Sequence, residues 1–133
     1  MAQFKLTIVT PDRKFYEGDV EMLIATGVEG EFAILKGHTP FVTLLKTGKV
    51  LVKARGEEKL AAIAEGFITV KEDVVKVVSD ACEWVEEIDV LRAQKAKERA
   101  KMLIDTAKDD EAREKAKQAL ERAINRIKLG QNK

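Results

Sequence analysis

Residues 74–99 read VVKVVSDACEWVEEIDVLRAQKAKER, and the hydrophobic period changes inside that stretch. Residues 74–78 are a short β-branched run, the last of several such runs. From Asp89 onward the apolar positions recur every three or four residues: Ala93, Ala96, Ala100, Leu103 and Ala107, then Ala112, Ala116, Ala119, Ala123 and Ile127. Strands before the switch and helices after it give a β-rich region over 1–86 and a helical region over 87–133.

The breakers agree with that division. Both prolines (Pro11, Pro40) and seven of the eight glycines lie in the first 66 residues, whereas 67–129 contains neither residue type. In the first region Phe4, Leu6 and Ile8 alternate with Lys5 and Thr7, a half-buried strand that stops at the turn Thr10-Pro11-Asp12. Further strands are expected over 20–26, 31–35, 41–45, 49–54, 60–64, 67–70 and 74–78, with hairpin turns at 55–58 and 71–73. Short strands with turns every 8 to 12 residues indicate a β-sandwich or barrel with a modest core.

In the second region two alanine stripes predict an antiparallel helical hairpin whose backbones approach closely. Asp89 is the expected N-cap of the first helix, Asp109 or Asp110 that of the second, and Gly130 its expected end. The connection over 105–111 holds no Gly or Pro, so nothing in it forbids continuous helix. Alanine packing also removes little apolar area from water, and such a hairpin can open when a partner offers a better surface.

Charge is divided too. The whole chain carries 24 basic and 23 acidic side chains, but residues 1–87 hold a net −4 and residues 88–133 a net +5. One Cys and one His leave no disulfide within the chain and no soft-metal cluster. The longest stretch without a charged residue, 37–45, is under half of the roughly 20 apolar residues of a membrane helix. The first residues lack a basic segment followed by an apolar run. These features read as a cytoplasmic, soluble protein, docked to a membrane only through a partner. No Walker A loop, GxGxxG, HExxH or GxSxG motif is present, and an enzyme is a poor reading.

Arg92 and Arg99 share a face of the first helix, and Arg122 and Arg126 a face of the second. In an antiparallel hairpin all four guanidiniums can converge beside the helix start at Asp89, an arrangement suited to a phosphate chain. Solvated faces paired with Glu98 and Glu121 fit the same pattern, as does a basic surface for an acidic protein. Nucleic acid ranks below both, because the face lacks aromatics and is interleaved with carboxylates. From the residues alone His38 is a polar turn residue, Cys82 a small buried or half-buried side chain, and Trp84 a packing residue where helices meet strands.

Four segments resemble the epsilon subunit of bacterial F-type ATP synthases. IVTPD at 8–12 with Tyr16 downstream, and GEFAILKGHTP at 30–40, are similar to that family's VTP and GILPGHxP segments. IDVLRA at 88–93 matches the IDxxRA motif of its ATP-binding members, and ALERAINR at 119–126 matches the second helix. The resemblance implies a ten-stranded N-terminal β-sandwich and a C-terminal helical hairpin in a non-catalytic rotor subunit. Its expected partners are the gamma subunit, the c-ring and the alpha/beta catalytic head, at the cytoplasmic face of the bacterial membrane.

It further implies that the hairpin inhibits ATP hydrolysis when extended and holds ATP, with or without magnesium, when folded back. The matching ATP positions are Ile88, Asp89, Arg92, Ala93, Arg99, Arg122 and Arg126, with Glu83 a candidate for the sugar edge. Glu29, Glu31 and His38 correspond to the c-ring side. Lys36 stands where the family usually has Pro and Ala33 where it has Gly, which predicts a less rigid turn before His38. Ala64-Glu65-Gly66 replaces a frequent Ser-Gly-Gly. The competing reading is a free-standing sandwich with a basic hairpin that docks on an acidic protein or nucleic acid.

Overall fold

The computed structural model describes residues 2–132. The chain divides after Trp84 into two compact units, close to the boundary expected at 86. The first holds β1 (Phe4–Val9), β2 (Lys14–Val20), β3 (Met22–Gly27), β4 (Gly30–Ile34), β5 (Phe41–Ala54), β6 (Glu57–Ile63), β7 (Gly66–Lys71), β8 (Val74–Ser79) and β9 (Cys82–Trp84).

Pairing sorts these strands into two layers. One runs β2-β1-β8-β7 and ends on the first part of β5, with β1 and β8 parallel and the other pairs antiparallel. The other runs β4-β3, the second part of β5, β6 and β9, antiparallel throughout. Ten strand positions were expected; nine strands fill the two layers among the described residues because β5 serves in both. Leu6, Ile8, Ile68, Val75 and Val77 from the first layer meet Leu23, Ile34, Val50 and Val52 from the second in a single core. The alternation visible in β1 is therefore the inward face of a packed pair of sheets.

Two strand expectations change. The strand expected over 20–26 is two strands, broken at Glu21, whose buried carboxylate Oε1 accepts a 2.9 Å hydrogen bond from the amide of Gly56. The strands expected at 41–45 and 49–54 are one strand of 14 residues. Gly48 makes this continuity sterically possible, since a Cβ there would lie 2.8 Å from the side chain of Thr26. The two hairpin turns place Arg55 and Gly56, and Glu72 and Asp73, at positive φ, the left-handed pairs that suit two-residue hairpins.

The second unit contains a short 3₁₀ turn (Val85–Glu87), α1 (Val90–Thr106) and α2 (Asp110–Gln131). Asp89 caps α1 by accepting from the amide of Arg92 at 3.1 Å, and Asp109 caps α2 by accepting from Ala112 at 2.7 Å. The short connection turns α2 back to pack along α1. Ala93, Ala100, Ala116 and Ala123 are the buried seam. Gly130 does not end α2 but lies within it, and its missing side chain admits Ile88 and Val90.

Candidate functional site

In the first unit the outer face of the β5-β7-β8-β1 layer carries an apolar row. Register sets Leu44 beside Phe67, Phe67 beside Val78, and Val78 beside Val9. Leu44 is 62% exposed, Phe67 40% and the nearby Val42 72%. Val28 joins them, its amide bonded to the carbonyl of Leu44 at 3.1 Å. Large apolar side chains gathered on one open sheet face mark an interaction surface more than scattered ones do. The expectations placed no site residue here, although the alternation in 41–45 does put Val42 and Leu44 together on one face.

The three residues expected on the c-ring side stand in the β3–β4 turn, on β4 and in the loop that follows β4. Glu29 is exposed in the β3–β4 turn, and Glu31 follows on β4, where it faces Lys49 at 3.6 Å. That exposed ion pair adds little stability. His38 is half-buried: its amide donates to the carbonyl of Leu35 at 3.2 Å, its Nδ1 lies 2.7 Å from the carbonyl oxygen of Thr39, and its ring meets Phe41 edge-on at 5.5 Å. Phe41 in turn meets Phe32 at 5.3 Å. The turn before His38 is tied in spite of Lys36, because the amide of Gly37 donates to Asp73 Oδ1 at 2.7 Å.

Trp84 and Cys82 stand on β9. Trp84 stacks on Phe15 at 4.6 Å, meets Tyr16 at 6.0 Å and receives Lys59 Nζ over its ring at 4.4 Å. The Cys82 thiol is pushed up to about 12, first by burial, which disfavours the thiolate. Glu83, between them, is half-buried and pairs opposite Ala62.

In the second unit the arginines follow from the seam. Taking the buried alanines as the inner face, Arg92, Arg99, Arg122 and Arg126 each lie about 60–120° round their helix in the same rotational sense. In an antiparallel pair that is one side of the hairpin. Residues equally far from the turn stand level, which groups Arg92 with Arg122 and Arg126 near the start of α1. Arg99 sits about 10 Å further along the axis at 1.5 Å per residue. There it lines a groove of about 510 Å³ with Leu91, Gln94, Lys95, Glu98 and Met102. Ile88 is buried, and Ala93 is fully buried, so Ala93 serves by letting the helices approach.

Residues 3–85 match the beta-sandwich domain of the ATP synthase delta/epsilon chain, and residues 86–131 match its long alpha-helix domain. The chain belongs to the ATP synthase delta/epsilon family. An ATP synthase epsilon chain of Caldanaerobacter subterraneus subsp. tengcongensis is 45% identical over 95% of this chain and 92% of the relative. One of Ruminococcus albus is 40% identical over the whole of both chains. Among solved structures, a chain of the Euglena gracilis mitochondrial ATP synthase, seen by cryo-EM with OSCP, F1 and c-ring, superposes with a TM-score of 0.78 at 28% identity, over 94% of this chain and 79% of that one. A chain of the Tetrahymena thermophila mitochondrial ATP synthase central stalk and c-ring shares the fold, with a TM-score of 0.61 at 15% identity over 96% and 93%. For a delta/epsilon chain the sandwich and hairpin are thus the family's two domains. Among the described residues no helix is long and apolar enough to cross a membrane.

Proposed function

We propose that this chain is a non-catalytic central-stalk subunit of ATP synthase that couples rotation to synthesis and restrains ATP hydrolysis through its hairpin. The outer-face row of exposed Leu44 and Phe67 with half-buried Val78 and Val9 carries the reading. It supplies the apolar centre of a docking face for the gamma subunit, while Glu29, Glu31 and His38 supply a polar rim toward the c-ring. Both partners bring the chain to the cytoplasmic face of the bacterial membrane without a span of its own. Adding the full chain to an ATP synthase complex lacking its epsilon chain tests this. Wild-type chain restores rotor assembly, and Leu44→Glu with Phe67→Glu does not; restoration by the double variant overturns the docking face.

The hairpin is the regulatory part. Folded back, its arginine side holds ATP: Arg92, Arg122 and Arg126 neutralise the phosphates, Arg99 extends the positive surface, and Asp89 and Ile88 bound the nucleoside end. Three arginines level with the N-terminus of α1 suit that polyanion. Extended, the same basic helices approach the alpha/beta head. ATP at about ten times its Kd stabilises the folded form by roughly 1.4 kcal/mol, so the two forms must differ by no more than a few kcal/mol for ATP to choose between them. The alanine seam and a connection without Gly or Pro favour that balance. Calorimetric titration with ATP, and with ADP as control, gives saturable binding that weakens in Arg92→Ala and Arg126→Ala; equal affinity in both variants overturns the ATP site and leaves the docking role standing.

A further inference from the structure

The loop over 35–40 has an unusual task. It leaves β4, in one layer, and enters the part of β5 that pairs with β7 in the other. Such a crossing has no ladder of its own to fix it, and Gly37 adopts φ +83 to make the turn. Beyond the turn bond from the His38 amide to Leu35, the fixing comes from outside the loop. Asp73 Oδ1 accepts the amide of Gly37 at 2.7 Å, and the backbone carbonyl of the same Asp73 accepts the amide of Lys5 at 3.0 Å. One residue in the β7–β8 turn therefore holds the crossing loop and the start of β1.

The conformation of Asp73 suits this use. With Glu72 at φ +51 and Asp73 at φ +60, the hairpin is a two-residue turn without glycine. Aspartate tolerates the left-handed region better than most side chains. Its carboxylate also accepts a stronger hydrogen bond than a neutral acceptor. Directly after Gly37, His38 closes back onto Leu35 and packs its ring on Phe41, which packs on Phe32. Fixing Gly37 thus fixes where His38 begins.

We propose that Asp73 is a positioning residue for partner docking, which, through Gly37, sets the presentation of the loop bearing His38. This rests on the reading of Glu29, Glu31 and His38 as the c-ring rim. Asp73→Gly removes the acceptor while relieving the backbone, and Asp73→Asn keeps both an acceptor and a residue at ease in that conformation. The probes are amide hydrogen exchange of Gly37 in the full chain and affinity of the full chain for a bacterial stalk and c-ring complex lacking its epsilon chain. In Asp73→Gly the Gly37 amide exchanges at least about tenfold faster and the dissociation constant rises about three- to tenfold, whereas Asp73→Asn stays within about twofold of wild type on both.

Unchanged exchange in Asp73→Gly overturns the tether. Faster exchange with unchanged affinity, while His38→Ala weakens docking, overturns the positioning role and leaves the rim intact. Unchanged affinity in His38→Ala and Glu31→Ala as well removes the c-ring rim, and the proposal falls with it.

Discussion

A β-carbon added to Gly130 would stand 2.9 Å from Cγ2 of Ile88. The same atom would lie 2.9 Å from Cγ2 of Val90. The end of α2 is therefore seated against the start of α1 only because position 130 has no side chain. In any helix Gly costs about 1 kcal/mol relative to Ala, so this glycine favours the folded hairpin by fit and disfavours helix everywhere else.

Gly130→Ala separates the two effects. It removes the propensity cost in both hairpin forms and introduces a clash only in the folded one. The expected result is faster amide exchange along the seam at Ala93 and Ala123, with unchanged or higher helix content by circular dichroism. Unchanged or slower exchange at the seam means that Ile88 and Val90 make room.

The caps give a second test. Asp109→Ala and Asp89→Ala each remove one side-chain acceptor from a helix start, at about 1 kcal/mol. Chemical denaturation should register both to a similar degree. Only Asp89→Ala should also weaken ATP binding, because Asp109 stands at the far end of the hairpin.

Glu21 holds the β5–β6 turn through Gly56, and its Oε2 is buried with no hydrogen-bond partner among the described residues. Glu21→Ala leaves the Gly56 amide unpaired in partly buried surroundings and should cost about 1–3 kcal/mol in urea unfolding. A loss under about 0.5 kcal/mol shows that water replaces the carboxylate.

Cys82 offers a test by pH. Its folded pKa is raised from 9.0 to about 12, so the folded chain retains the proton where the unfolded chain has lost it. Stability from this residue is intact below pH 9 and declines as pH rises from 9 toward 12. Cys82→Ala should flatten that alkaline decline. At pH 8 the native thiol should react with a disulfide reagent at least about tenfold more slowly than in denaturant, following its smaller thiolate fraction.

Much of this architecture is written in short-range pattern. Alternation at Phe4, Leu6 and Ile8 found an inward strand face, and the alanine spacing found both helices and the seam. Asp89, and Asp109 as one of two neighbouring candidates, were legible as caps because capping is a local hydrogen bond. What escaped was long-range. The joining of 41–45 to 49–54 depends on Thr26 approaching Gly48, and the seating of Gly130 depends on Ile88, 42 positions away in the chain. The parallel pairing of β1 with β8 has no local signature at all. In the candidate sites the arginine side followed from helical period, whereas Asp73 looked like an ordinary turn residue until its partner Gly37 was known.

The continuity of β5 has a mechanical meaning. A strand that starts in one sheet and finishes in the other carries load along covalent backbone, with hydrogen bonds on its flanks set across the direction of pull. Tension applied at Phe41 and resisted at Ala54 meets those bonds in shear, where several must fail together, rather than one after another as in a peeled hairpin. If the end at 41–45 is where a turning shaft grips this subunit, the sandwich is braced along the line of force, and its two sheets twist as one body.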